Sequence, residues 1–138
     1  MSNPQFTFPA TSFLDGSLLT SWRNAIRETT LKAQLQKLKD SGRFDCFKLK
    51  WHPTYDSGNF AVTWPVTIWL FWDSDVAKWI EGACYFLTDQ YDADIDAAVQ
   101  ELTTDIRGAQ QDDGYLNVHY TVIDPKKRWT NLRDMHEL

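Results

Sequence analysis

Long apolar runs are missing from this sequence, and no stretch is continuous enough to cross a bilayer. The opening residues, Met1 to Phe6, carry neither a basic segment nor an apolar one. A soluble, cytoplasmic chain outside the general secretory route is therefore expected. Basic stripes are missing too. The net charge is −5, Lys and Arg are scattered among acids, and Lys126-Lys127-Arg128 is the one basic run. Nucleic-acid binding through phosphate neutralisation is thereby argued against, and neither nucleic acid nor membrane is an expected partner. Cysteine is scarce: Cys46 and Cys84 are the only two. In a reducing compartment they are expected as free thiols, with Cys84 a small core residue. His52, six residues after Cys46, fits no standard zinc spacing. No repeat at a fixed period is visible.

Aromatic residues, by contrast, are abundant: seven Trp, eight Phe and five Tyr in 138 residues. Most are expected in a core, although a Trp face also suits stacking on the C–H faces of sugars. With 43% hydrophobic residues the chain has enough apolar surface for one folded domain.

Residues 1–16 mix Pro4, Pro9 and Gly16 with Phe6, Phe8 and Phe13, a composition that predicts an extended arm pinned by its aromatics. From Ser17 onward Leu19, Trp22 and Ile26 share one helical face, while Leu31, Leu35 and Leu38 share another. The pattern predicts a helix, or a broken pair, ending at Ser41-Gly42. Turn formers crowd residues 52–59, and Val62 to Trp72 taken alone reads as an edge strand.

The central stretch is Phe71 to Glu81, FWDSDVAKWIE. Asp73 or Ser74 is the expected N-cap, Asp75 follows in the first turn, and Val76, Trp79 or Ile80, Ala83 and Leu87 make the buried face. Asp92 or Asp94 is the expected cap of a following helix with Ile95, Val99, Leu102 and Ile106 inward. A connection this short predicts antiparallel neighbours. Gln110 to Gly114 is read as the end of that helix, with Gly114 at positive φ. Tyr115 to Val122 alternates like a strand or extended loop, and Trp129 to Leu138 reads as the opening of another helix, capped by Asn131 or Asp134.

Three blocks in order, FWDSDVAKWIE (71–81), AQQDDGYLN (109–117) and KRWTNLRDMHEL (127–138), resemble the N-terminal part of the glycoside hydrolase family 127 catalytic domain, the β-L-arabinofuranosidases. Residues 42–49 resemble the family segment that precedes the first block. The resemblance implies an all-α fold, the N-terminal part of an (α/α)6 barrel that is incomplete in this chain, with residues 17–138 as its opening segment. It further implies retaining cleavage of terminal β-L-arabinofuranosides by a cysteine nucleophile in a zinc-thiolate site, with a glutamate acid/base. Those residues lie downstream of the His-Glu-Leu segment in the family, so no nucleophile, acid/base or metal ligand is carried over. No cofactor is expected in this chain, zinc belonging to the complete domain.

The position that transfers is His136, which matches a family histidine facing the arabinofuranose ring. An imidazole can donate to one hydroxyl and accept from another. Asp73 and Asp75 are weaker candidates, as pocket-lining groups or as helix caps. They do not look like a catalytic pair, because a retaining glycosidase needs two carboxyl groups about 5 Å apart across the scissile bond. The expected partner of the complete domain is an arabinofuranoside-type carbohydrate. Twelve barrel helices need well over about 250 residues, so the chain alone is expected to be inactive. A non-catalytic carbohydrate-binding or helical interaction module is the alternative.

Overall fold

A computed structural model describes residues 11–50 and 72–132. All its regular elements are helical, and no strand occurs among the described residues. The order is α1 (Leu18–Ala25), a π-helical turn (Ile26–Thr30), α2 (Leu31–Asp40), a 3-10 turn (Arg43–Lys48), α3 (Trp72–Asp89), α4 (Ala93–Ala109), α5 (Val118–Val122) and a short 3-10 turn (Pro125–Lys127).

The predicted broken pair of helices is one continuous rod with a π turn at its middle. Ser17 caps α1 by accepting the Thr20 N–H at 3.2 Å. The rod widens at 26–30, where the Leu31 N–H reaches back to the Ile26 carbonyl. An inserted residue of this kind changes which face a helix turns inward. Before it α1 buries nothing; after it Leu31, Leu35 and Leu38 are all buried. Gly42 then takes φ 75° and ends α2, as its lack of a Cβ permits.

The core lies where α2, α3, α4 and the 43–48 turn meet. Phe44, Cys46 and Phe47 enter from the turn, while Trp72, Val76, Trp79 and Ala83 enter from α3. Ile95, Ala98, Val99 and Leu102 complete the contact from α4, and Ile80, Leu87 and Ile106 flank it half-buried. Asp92 is the cap of α4, accepting from the backbone N–H groups of Asp94 and Ile95 at 3.1 and 3.2 Å. With only three residues between them, the two packed helices run antiparallel.

The structure corrects three local expectations. Helix α3 already includes Trp72, so Asp73 and Ser74 lie inside its first turn and neither is its N-cap. Residues 118–122 are helical rather than extended. Asn117 caps them by accepting the Tyr120 N–H at 3.0 Å, and Val118, His119 and Tyr120 are buried in succession. Burial on every side of one short helix imitates the alternation of a strand. Cys84 is exposed, although its neighbour Ala83 is buried. Residues 129–132 are not helical, Trp129 has φ 66°, and the body of the helix expected after a cap at Asn131 or Asp134 lies outside the described residues, as does His136. Of the strand expected over Val62 to Trp72 only Trp72 is described, and it is helical; residues 62–71 and the arm up to residue 10 lie outside the described residues.

Candidate functional site

Asp73 sits at the start of α3 with a carboxylate that is mostly buried. Its Oδ1 accepts the Ser74 N–H at 2.8 Å. Its Oδ2 accepts the Val118 N–H at 3.3 Å and so pins the first residue of α5 to the first turn of α3. Burial pushes the Asp73 carboxyl above its ordinary value, and the neighbouring Asp75 charge adds to this; the backbone N–H groups of Val118 and Ser74 oppose it. Burial therefore outweighs the hydrogen bonds. The same carboxylate contributes to the upward shift of the Cys46 thiol, whose main cause is its own burial.

Asp75, two residues on, faces a different partner. Its Oδ2 takes the Arg43 Nε–H at 3.2 Å, and the Arg43 guanidinium lies 5.9 Å from the Trp72 ring centroid. The two acids thus answer to separate elements, one to α5 and the other to the 43–48 turn. Asp73 accepts from Val118 and Ser74, whereas Asp75 accepts from Arg43.

A third acid, Asp113, organises the approach to the last block. Its Oδ1 accepts the Tyr115 N–H at 3.1 Å, while its Oδ2 pairs with Arg128 Nη1 at 3.1 Å. The Arg128 guanidinium lies 4.2 Å from the Tyr115 ring centroid, and Tyr115 meets Trp129 edge to face at 5.1 Å. Gly114, at φ 86°, makes the tight turn that allows this: its N–H donates to the Gln111 carbonyl at 2.8 Å, and the Gln111 N–H donates to Tyr115 O at 2.9 Å. The strained left-handed Trp129 follows directly. This buttress fixes the direction in which the chain enters residues 130–132.

The sequence reading missed Arg43, Asn117 and the Asp113–Arg128 pair. A short oxygen-bearing residue before Val118 was the one local signal, for the Asn117 cap; the other partners are set by tertiary contacts.

Among the described residues no three His, Cys, Asp or Glu side chains come together to hold a metal ion. Cys46 is buried in the 43–48 turn, and Cys84 is exposed on α3. No helix among the described residues is long and apolar enough to cross a membrane.

Comparison with known proteins places these features in context. Residues 13–138 match the model of the β-L-arabinofuranosidase, GH127 catalytic domain family. A non-reducing end β-L-arabinofuranosidase of Bifidobacterium longum subsp. longum is 34% identical over 73 residues, which is 50% of this chain and 11% of that protein. The crystal structure of Ara127N-Se, a GH127 β-L-arabinofuranosidase from Geobacillus stearothermophilus T6, superposes with a TM-score of 0.72 at 30% identity. The superposition covers 92% of this chain and 20% of the Geobacillus chain. The sequence described here thus spans only a small part of the length of its relatives.

Proposed function

Because the chain belongs to the glycoside hydrolase family 127 β-L-arabinofuranosidases, we propose that it supplies the opening helices of a catalytic domain that removes terminal β-L-arabinofuranose. The observation that carries this reading is the near-complete match of the chain, over 92% of its residues, to a fifth of a β-L-arabinofuranosidase. The described residues fit a supporting role. Asp73 joins α3 to Val118 and Asp75 joins it to Arg43, contacts that hold the start of α3 in place. The bond-breaking groups come from the rest of the domain.

Within that domain His136 is the sugar contact this chain contributes, donating to one hydroxyl and accepting from another. The test is hydrolysis of p-nitrophenyl β-L-arabinofuranoside. The 138-residue chain alone should release no arabinose, and the chain joined to the remainder of a family 127 domain should release it. In the joined protein, His136→Ala should raise KM about tenfold or more, the loss of one or two sugar hydrogen bonds. Arabinose release by the isolated chain would overturn the reading.

A further inference from the structure

Helix α1 is amphipathic in the wrong sense for a self-sufficient domain. Its polar side is turned toward the body, where Arg23 Nη2, with Arg27 Nη1 from the following π turn, clamps the two oxygens of Asp89 at 2.8 Å each. Its apolar residues Leu18, Leu19 and Trp22, with Ile26 at its C-cap, fall within about a third of the helical circumference at 100° per residue. All four are solvent-exposed, Leu18 at 63% and Trp22 at 57%. Leu14, just before the cap, extends the same exposure. No residue of α1 is buried. A stripe of this kind, held outward by ion pairs, marks an interaction surface.

What covers it can be argued from size and from coverage. An eight-residue helix is about 12 Å long, too short for its face to supply the roughly 800 Å² per partner of a stable association between two copies. Most of the Geobacillus chain has no counterpart here, whereas nearly all of this chain has a counterpart there. We infer that the face formed by Leu18, Leu19 and Trp22 of α1 with Ile26 of the π turn is the seam onto which a helix from the remainder of a family 127 catalytic domain packs. This rests on the function proposed above, and it adds the surface at which the opening helices meet the rest of the domain.

The test is co-expression of the tagged 138-residue chain with a family 127 catalytic domain from which the matching segment has been deleted. The two should co-purify as a 1:1 complex. Leu18→Glu combined with Trp22→Glu should reduce the recovered complex at least tenfold, while the far-UV circular dichroism and thermal midpoint of the variant chain stay at those of the parent. Leu19→Lys, a single exposed substitution, gives an independent reading should the double variant fold poorly, and it should reduce recovery as well. No co-purification, or equal recovery with both variants, would overturn the inference. So would a parent chain that sediments as a dimer and variants that sediment as monomers, which would assign the face to a second copy. Co-purification without arabinose release would defeat the proposed function and leave the seam standing.

Discussion

The indole N–H of Trp79, in the middle of α3, donates to the carbonyl of Leu31, the first residue of α2, at 3.1 Å in the buried core. The bond falls immediately after the π turn, at the point where the first rod becomes able to bury its leucines. It fixes the register of α2 on α3 as well as closing a polar group inside an apolar cluster. Trp79→Phe keeps most of the apolar surface and loses the bond. The expected cost is about 1–2 kcal/mol, the sum of a hydrogen bond and a modest change in packing. Trp79→Ala should cost about 3–5 kcal/mol by leaving a cavity. Urea unfolding followed by circular dichroism measures both; a Phe variant as damaged as the Ala variant would assign the indole N–H a far larger role.

Asp73 gives a pH dependence of a definite sign. Its carboxyl is raised in the folded chain, mainly by burial, so the folded state binds a proton more readily than the unfolded one. The penalty for burying the charge is fully present above the raised value and disappears as pH falls through it toward the ordinary 3.8. Asp73→Asn removes the charge and keeps an acceptor for the Val118 N–H, while its amide NH2 cannot accept the Ser74 N–H. That loss is independent of pH, so the stability of the parent relative to this variant should fall as pH rises from about 4 to 7. Asp73→Ala removes the acceptor altogether and should cost about 1–3 kcal/mol, the price of an unsatisfied buried N–H. Thermal melts between pH 4 and 8 separate the two variants. A parent that gains stability over Asp73→Asn as pH rises would show that the hydrogen bonds, and not burial, govern this group.

Gly114 holds φ 86° in the turn beneath the Asp113–Arg128 buttress. A Cβ there would meet nothing within 4 Å, so the cost of Gly114→Ala is conformational rather than steric crowding. It should be about 1–2 kcal/mol, the left-handed penalty of an L-residue. Gly114→Asn, which tolerates that region better, should lose less. Equal losses for Ala and Asn, measured by urea unfolding, would point to a cause other than backbone strain.

Much of the helical frame could be read from spacing, because the relevant forces are local. The stripe Ile95, Val99, Leu102 and Ile106, the Asp92 cap and the Gly42 stop depend on residues within a turn or two of each other. The change of face between Ile26 and Leu31 was also visible, although the π turn that accommodates it was not. Expectations failed where tertiary contact overrides local pattern. Asp73 has the chemistry of an N-cap, yet its second oxygen is taken by Val118, 45 residues away. The helix at 118–122 has no apolar stripe to announce it, because Val118, His119 and Tyr120 are buried in succession. The buttress of Arg128 on Tyr115 joins residues that no periodicity connects, and the family resemblance alone marked its two segments as belonging together.

The two thiols should differ sharply in reactivity. Cys46 is fully buried, whereas Cys84 is exposed. Burial pushes both thiols above their ordinary value, with the Asp96 charge adding to Cys84 and the Asp73 charge to Cys46. The thiolate is the reactive form, so a raised value lowers its fraction at neutral pH. Native protein should therefore titrate with about one equivalent of Ellman's reagent per chain, slowly at pH 7 and faster as pH rises toward 9. The second thiol should react only on unfolding in guanidinium. Cys84→Ser should abolish the native-state reaction, whereas Cys46→Ser should leave its rate unchanged and lower stability through the polar hydroxyl placed in the core. Two fast equivalents from the folded chain would mean that the 43–48 turn opens readily and that Cys46 is not sealed beneath α3 and α4.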